Sequence, residues 1–530
     1  MKLSGKSAAV LLLGSAYALA AFFMLRNAAE EARPDRVTIR VSQWQLEGGL
    51  RQAFAAMIRR YEELNPRVHV IPISVPDTIY RQWTRTQLVG DTAPDIIEYN
   101  KDFYGVERFF SPISDEVMQP NPYNRGTPLE GVPWRDTFLD AMANPDGFNA
   151  QLNQYYAATL TQVSIRLMYN RAMLRTLTGG EDTPRNYREL LALCARVRAY
   201  AGEQHLDLVP LANSGESVIG LVGFICESAA SGLSARLDFR HTFGFSSKEL
   251  GLAYLRGDWN YRAPELRVGL EVLHDLGDNS VPGFLQLTRE SPLIDFVRGR
   301  ALLVVAPSWE ASSLKELCPF ELGAFRFPVP AQDDPVYGSL MLGPYSDGRL
   351  TTQLALYVNR ATRHRREALD FLHFVTSVEG NQIFADVSTW LPSIAGVKAS
   401  AYSRQFLPFY DGFIWSLDGG FCNLTGSDSV MLLRRNYHLL WGPAGSAEKY
   451  AAAIDAKLRG NVISDLTRDA KLQLETVTHE DSAAAAQHQL AAAGAGLAGL
   501  AGLPLLPARV EGRTFQMTEI LREASAGPRR

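Results

Sequence analysis

The fold is decided by residues 154–170, whose sequence is QYYAATLTQVSIRLMYN. The stretch opens with two tyrosines, and from Val163 to Tyr169 apolar side chains alternate with polar or flexible ones. A period of two residues is typical of a β-strand with one buried face. Because strand and helix patterns alternate on both sides of it, we expect this stretch to cross from one α/β lobe to another and to form part of a hinge.

Upstream of this stretch the chain alternates strands with helices. Residues 37–42, 68–73 and 94–99 have strand patterns, and apolar residues from Leu50 to Leu64 recur with a helical spacing. Strand–helix–strand alternation predicts a parallel sheet. In such sheets ligands bind beyond the carboxyl ends of the strands. The residues at those ends include Gln43, Trp44 and Gln45 after the first strand, and Tyr99, Asn100, Lys101 and Asp102 after the third.

The composition excludes several classes of protein. The chain has 530 residues, of which 46% are hydrophobic and 21% charged, so it is globular and long enough for two or three domains. Its net charge is −4, which leaves no basic excess to neutralise a phosphate backbone, and we do not expect nucleic acid as a partner. The four cysteines are widely spaced and form no C-x-x-C pair, and we expect neither a metal nor a cofactor.

The N-terminal segment predicts export from the cytoplasm. Lys2 and Lys6 precede an uncharged, largely apolar run over residues 7–25, which is the pattern of an export signal. Ala18 and Ala20 fit the small-x-small cleavage rule, but the apolar run continues past them and is long enough to span a bilayer. We favour an uncleaved signal anchor, with a cleaved signal peptide as the alternative. Either way, the body of the protein is expected to be periplasmic or extracellular.

Several motifs together resemble a known family. They are VTIRVSQWQ from residue 37, APDIIEYNKD from residue 93, the YY…YN stretch, P-R-N-Y-R-E-L from residue 184, and the pairs Ser308-Trp309, Glu379-Gly380 and Leu391-Pro392. Their order and spacing resemble the family 1 extracellular solute-binding proteins, the sugar receptors of ABC importers that include the maltose-binding protein. The resemblance covers about residues 37–458.

This resemblance implies a fold and a function. The fold is α/β, a two-lobe periplasmic-binding-protein fold (type II-like), with a hinge of about three crossing segments and a ligand cleft between the lobes. The implied function is capture of a small solute, a mono- or oligosaccharide, by lobe closure, and its delivery to an ABC permease in the inner membrane. The expected division is a signal segment and linker over 1–36, lobe 1 over 37–154 and 338–397, lobe 2 over 155–337 and 398–475, and an Ala/Gly-rich extension over 476–530.

A sugar site needs aromatic faces for the C–H surface of the ring and polar side chains for its hydroxyls. In sugar-binding members of the family, the tryptophan at the position of Trp309 faces the cleft. Any one of the aromatic candidates could instead be an ordinary core or surface residue, and Asp95 and Glu98 are expected to be solvated or capping. The predicted ligand-binding residues are Trp44, Glu47, Tyr99, Asn100, Asp102, Tyr156, Trp309 and Trp441, and the predicted hinge residues are Tyr155, Tyr156 and Gly338.

We do not expect an enzyme. The chain contains no H-E-x-x-H, G-x-S-x-G or P-loop motif, and the formal G-x-G-x-x-G match at residues 494–499 follows alanine-rich sequence where a strand is required. Two alternatives remain open. One is an extracytoplasmic carbohydrate-active enzyme, whose paired carboxylates are distant in the chain, and the other is a membrane-anchored sugar sensor. The C-terminal extension is expected to be a flexible or helical tail.

Overall fold

The computed structural model describes residues 36–99, 106–144, 146–149, 152–238, 247–288, 290–344, 346–347, 353–412, 426–442, 444–492 and 505–526. The chain divides into two compact units. Unit 1 comprises Met1–Ile165, Pro307–Leu317 and Arg349–Pro408, and unit 2 comprises Arg166–Ala306, Cys318–Gly348 and Phe409–Arg530.

The strands, in chain order, are β1 Val37–Gln43, β2 Val68–Ser74, β3 Ile96–Glu98, β4 Phe148–Asn149, β5 Gln154–Tyr155, β6 Ala157–Gln162, β7 Ile165–Asn170, β8 Val209–Ala212, β9 Ala301–Pro307, β10 Leu322–Phe325, β11 Gln353–Val358 and β12 Leu391–Pro392. The α-helices are α1 Gly48–Leu64, α2 Asp77–Val89, α3 Val106–Phe109, α4 Ser114–Val117, α5 Arg171–Thr178, α6 Tyr187–Glu203, α7 Gly215–Leu237, α8 Ser247–Arg256, α9 Pro264–Asp278, α10 Glu290–Val297, α11 Glu310–Leu317, α12 Arg365–Val375, α13 Val378–Ser388, α14 Ser427–Asn436, α15 Ala447–Ala492 and α16 Leu505–Ser525.

Unit 1 is built on a six-stranded sheet with the order β12-β6-β11-β3-β1-β2. β1 pairs in parallel with β2 and with β3, as the strand–helix–strand pattern predicts. The returning strand β11 pairs antiparallel with both β3 and β6, so the complete sheet is mixed. The helical stripe of α1 packs its buried side chains, such as Phe54, Met57 and Tyr61, into the core on one face of this sheet. The three parallel strands therefore bring their carboxyl ends to one edge.

Unit 2 holds a four-stranded sheet with the order β10-β7-β9-β8 and most of the long helices. Local sequence fixes where its first helices begin. Asn170, the last residue of the 154–170 stretch, accepts a hydrogen bond from Met173 N (3.0 Å) and caps α5. Asn186 caps α6 in the same way by accepting from Glu189 N (2.9 Å). The P-R-N-Y-R-E-L motif is thus a helix N-cap, which satisfies a backbone donor that the first helical turn leaves free.

The 154–170 stretch forms two long strands where the alternating pattern predicts one. β6 pairs in the sheet of unit 1 and β7 in the sheet of unit 2, and the chain passes between units after Ile165. All six residues of β6 are buried, and so are five of the six in β7. The alternation over residues 163–169 therefore does not mark a solvated face, because Ser164, Arg166 and Met168 are buried as well.

The C-terminal extension is helical where it is described. α15 is 46 residues long and α16 adds 21. Both belong to unit 2, and the buried side chains of the extension include Val477, Met517 and Ala524. Glu523 on α16 forms an ion pair with Arg256 on α8. The G-x-G-x-x-G match at residues 494–499 lies outside the described residues.

Among the described residues, no helix is both long enough and apolar enough to cross a membrane. The predicted signal segment, residues 1–36, lies outside the described residues except for Arg36.

Candidate functional site

The carboxyl ends of β1, β2 and β3 bring together polar and aromatic side chains in unit 1. Val41 pairs with Ile96 and Ser42 with Ile97, so the next pair in register is Gln43 and Glu98. On the other side of β1, Gln43 pairs with Ser74. This edge is the position where ligands bind in open α/β sheets.

Glu98 holds the loop that follows β1. Its two carboxylate oxygens accept hydrogen bonds from Trp44 N (3.2 Å) and from Gln45 Nε2 (3.1 Å). The Glu98 side chain has no exposed surface, whereas Trp44 and Gln45 are half-buried. The buried carboxyl group of Glu98 therefore fixes this loop, while the side chains of Trp44 and Gln45 are partly exposed.

Two further aromatic residues on α2 complete the group. The ring of Tyr80 lies edge-on to that of Trp44 at a centroid distance of 5.1 Å, and Trp83 lies 5.9 Å from Tyr80. The Tyr80 hydroxyl donates to the main-chain carbonyl of Glu98 (2.9 Å) and lies 3.0 Å from Ser42 Oγ. Tyr80 is buried and Trp83 is half-buried. We call Trp44, Tyr80 and Trp83 the aromatic group.

Gln43 adds a buried polar atom to this edge. Its Nε2 donates to Ser74 Oγ (2.6 Å), and no described residue donates a hydrogen bond to its Oε1. The side chain is 2% exposed. A buried carbonyl oxygen without a donor is costly, so a ligand or an ordered water that donates to this atom would be stabilised there.

The carboxyl group of Glu98 is electrostatically unusual. Burial raises its pKa to about 8, against the hydrogen bonds from Gln45 and Trp44, which lower it. The nearby carboxylates of Glu47 and Asp77 raise this pKa further. Glu98 and Asp95 are expected to be solvated or capping, and the first of these alternatives is wrong, because both are buried: Asp95 accepts hydrogen bonds from Arg40 N (2.8 Å) and Thr362 Oγ1. An acidic residue at the end of an otherwise apolar strand was the available signal for Glu98.

Tyr99 and Tyr156 lie in a second hydrophobic cluster of unit 1 and are 6% and 4% exposed. The Tyr99 ring contacts those of Phe110 (5.5 Å) and Tyr357 (6.2 Å). Glu47 is half-buried at the start of α1, next to the loop that carries Trp44. Asn100 and Asp102 lie outside the described residues, so their position relative to the aromatic group is not defined.

The two remaining tryptophans predicted to bind ligand lie in different units. Trp309 is half-buried in unit 1 and packs against the main core. Trp441 is buried in unit 2, where its indole N–H donates to Leu273 O (2.7 Å). Its ring lies directly on Gly277, where any Cβ would clash with the indole. The Trp441 ring is therefore engaged in the packing of unit 2.

The predicted hinge residues are separated along the sequence from the points where the chain changes unit. Tyr155 is half-buried in β5, Tyr156 follows it, and Gly338 is buried in a short 3-10 helix of unit 2. The main changes of unit follow Ile165, Gly348 and Pro408, each somewhat later in the chain than the predicted boundaries at 154, 337 and 397, and the chain also enters unit 1 briefly over Pro307–Leu317.

Side chains beside these points tie the crossing segments together within each unit. In unit 1, Ser164 Oγ donates to Phe406 O (2.5 Å) and Ser164 O accepts from Ser308 N (2.8 Å). In unit 2, Arg166 donates to both carboxylate oxygens of Asp347 (2.7 and 3.3 Å), and its guanidinium lies 4.9 Å from the centre of the Phe409 ring. We call these the serine tie and the arginine tie.

Comparison with known proteins gives the family. The model of the bacterial extracellular solute-binding proteins matches residues 56–405, well over half of the chain. The multiple sugar-binding protein of Streptococcus mutans is 23% identical over 385 residues, which is 70% of this chain and 79% of that protein. Among solved structures, the apo form of RafE from Streptococcus pneumoniae has a TM-score of 0.55 at 17% identity, over 80% of this chain and 98% of that one.

A second structure, the GacH receptor of Streptomyces glaucescens, solved unliganded and with acarbose, has a TM-score of 0.54 at 14% identity, over 80% of this chain and 98% of that one. These similarities agree with the mixed α/β sheets and two units, and confirm the predicted two-lobe fold. Members of the matched family bind solutes and are receptors rather than enzymes. The chain belongs to the bacterial extracellular solute-binding protein family.

Proposed function

We propose that this protein captures a mono- or oligosaccharide outside the cytoplasm by closing its two lobes over it, and delivers it to an ABC permease in the inner membrane. The observation that carries the choice of a sugar is the aromatic group at the carboxyl edge of the unit 1 sheet. Trp44 and Trp83 are half-buried and offer apolar ring surface, and the half-buried amide of Gln45 follows Trp44 directly in the same loop. Aromatic faces combined with hydrogen-bonding groups suit a sugar ring, which has C–H faces and hydroxyl edges.

The similar proteins support the same ligand class. One is named for multiple sugars, and another was solved with acarbose. For this chain we place ligand contact on Trp44, Glu47 and Trp309, whose side chains are half-buried. Tyr99 and Tyr156 are buried in unit 1, and we assign them to the packing that supports the site, whereas buried Trp441 is assigned to the packing of unit 2. Asn100 and Asp102 stay candidates for the sugar hydroxyls.

We further propose that lobe closure bends the chain between the serine tie and the arginine tie. Only Ile165 separates Ser164 from Arg166 along the first crossing segment. Hinges of this type are a few residues at the ends of elements that absorb large changes in backbone angle. Closure then needs only that the sugar bind the closed form more tightly than the open form.

For the N-terminal segment we propose an uncleaved signal anchor that tethers the receptor to the inner membrane on its outer side. The basic residues Lys2 and Lys6 before the apolar run support this orientation. Mass spectrometry of the protein extracted from membranes tests it. A mature N-terminus that begins after Ala20 would show instead that the signal is cleaved.

Thermal unfolding with a panel of sugars tests the ligand class. Raffinose, maltotriose, acarbose and galactose are added in turn at millimolar concentration, and any that binds the native state raises the melting temperature in a saturable way. We expect at least one such shift, and we expect Trp44→Ala to abolish it. Calorimetry and chromatography of the same mixtures should give binding without cleavage products. Absence of any shift across a broad sugar panel, or turnover of the sugar, would contradict the proposal.

A further inference from the structure

Glu98 makes hydrogen bonds through two separate parts of the residue. Its carboxylate accepts from Trp44 N (3.2 Å) and Gln45 Nε2 (3.1 Å), and its main-chain carbonyl accepts from the Tyr80 hydroxyl (2.9 Å). Trp44 and Tyr80 are the two rings in edge-on contact at 5.1 Å. Trp44 and Tyr80 are therefore both hydrogen-bonded to Glu98.

The residue that can contact a solute is partly exposed, whereas the residues that hold it in place are buried. Trp44 is half-buried, so part of its ring can meet a solute, whereas Tyr80 is 3% exposed and Glu98 is fully buried. A binding side chain is precise when its orientation is fixed by packing and by hydrogen bonds from residues behind it. Without the carboxylate of Glu98, the backbone N–H of Trp44 would lose the acceptor that fixes the loop.

We propose that Glu98 is a positioning residue for solute binding: it holds the Trp44 loop and Tyr80 in the geometry that receives the solute, without touching the solute itself. This deepens the proposed function and rests on it for the identity of the ligand, but the positioning of Trp44 can be measured without any ligand.

The groups around Glu98 make its role depend on pH. Tyr80 faces it from α2, Asp77 lies at the start of the same helix, and Glu47 lies at the start of α1. The carboxylates of Glu47 and Asp77 both favour the protonated form of Glu98, and so does burial. When Glu98 ionises, its hydrogen bonds to the Trp44 loop become charge-assisted and the field at the indole changes.

Quenching of Trp44 fluorescence by acrylamide tests the positioning. The contribution of Trp44 is obtained as the difference between each protein and the same protein with Trp44→Phe. We expect Glu98→Ala to raise the quenching constant of Trp44 about twofold or more, since loss of a buried acceptor frees the loop, and we expect Glu98→Gln to stay near the wild type because an amide can still accept one hydrogen bond.

Asp95→Asn is the matched control. Asp95 carries a buried carboxyl group and directly precedes β3. It accepts a hydrogen bond from Arg40 N in the middle of β1, whereas the Trp44 loop follows the end of β1. This variant should lower stability and leave the quenching of Trp44 unchanged. A folded Glu98→Ala protein with wild-type quenching of Trp44 would overturn the proposal.

If Glu98→Ala does not fold, a pH titration of Trp44 fluorescence tests the proposal instead. The wild type should show a step between about pH 7 and 9, from the raised pKa of Glu98, and Glu98→Gln should lack it. Identical pH profiles for the two proteins would refute the assignment.

Titration with raffinose, maltotriose and acarbose then connects positioning to binding. For whichever of these sugars binds the wild type, Glu98→Ala should weaken the affinity about tenfold or more, and Glu98→Gln should restore most of it. If none of the three binds, the sugar assignment fails while the fluorescence result for Glu98 still stands.

Discussion

At the scale of single residues, the buried carboxyl group of Glu98 makes stability depend on pH. Its pKa is raised to about 8 in the folded protein, from an ordinary value of 4.5. Between these values the folded state binds the proton and the unfolded state has lost it, so stability is fully present below pH 4.5 and falls as the pH rises towards 8. We expect the free energy of unfolding of the wild type to contain a loss of roughly 2–5 kcal/mol between pH 5 and pH 9 from this group.

Glu98→Gln should remove this loss, because an amide has no charge to bury. Urea denaturation at pH 5, 7 and 9 measures it: the variant should be less stable than or equal to the wild type at pH 5 and more stable at pH 9. The difference between the two proteins, rather than either curve alone, isolates Glu98 from other titrating groups such as the half-buried His373, whose pKa is lowered by desolvation to about 4. A difference that does not change with pH would show that Glu98 ionises normally.

The sequence predicts part of this site at the residue scale. The strand pattern places Trp44 and Tyr99 at the carboxyl end of the sheet, and Trp44 does lie in the loop that follows β1. The roles of Glu98 and Tyr80 could not be predicted, because they depend on contacts across 54 and 18 residues of chain. Periodicity identifies the buried face of a strand, but it does not show which polar side chain is buried there through a hydrogen bond to a residue distant in sequence.

At the scale of elements, the arginine tie joins β7 to two segments distant in sequence. Arg166 and Asp347 are completely buried, and Asp347 also accepts a hydrogen bond from Phe409 N (2.8 Å). Removing one partner of a buried ion pair leaves an uncompensated charge and costs about 3–5 kcal/mol. We therefore expect Asp347→Asn to lower the free energy of unfolding of unit 2 by an amount in this range, measured by urea denaturation of the full chain.

Asp411→Asn is the control for this prediction. Asp411 pairs with Arg326 at 3.3 Å, and Arg326 lies on the same Phe409 ring, but the Asp411 side chain is 66% exposed. An exposed ion pair contributes about 1 kcal/mol or less. Equal losses in the two variants would mean that burial of the Arg166–Asp347 pair has no energetic consequence.

The same element shows where the sequence pattern stops being informative. Residues 163–169 alternate as one strand would, yet Val163 and Ser164 separate β6 from β7. Ser164 is buried because it bonds to Phe406 and Ser308, and Arg166 is buried because it bonds to Asp347. Both polar residues look solvent-facing in the sequence, since their partners lie 144 or more residues away.

At the scale of the whole molecule, the family match ends at residue 405, whereas unit 2 continues through the C-terminal helices. α15 contacts α8, α9 and α14, and α16 contacts α15 and α8. Arg256 of α8 forms an ion pair with Glu523 of α16, and Arg459 of α15 donates to Ala526 O (3.1 Å) just after α16. These contacts make the extension part of the packed body of unit 2, which composition alone did not indicate because Ala- and Gly-rich sequence is typical of tails.

If α16 is an integral part of unit 2, its two faces must respond differently to a charge. Met517 is 4% exposed and Phe515, two residues away on the same helix, is 69% exposed. Met517→Asp would bury an unpaired carboxylate and should destabilise unit 2 by about 3 kcal/mol or more. Phe515→Asp should change stability by about 0.5 kcal/mol or less, since surface substitutions seldom do more. Urea denaturation followed by circular dichroism compares the two, and a neutral Met517→Asp would mean that α16 contributes nothing to the stability of the unit.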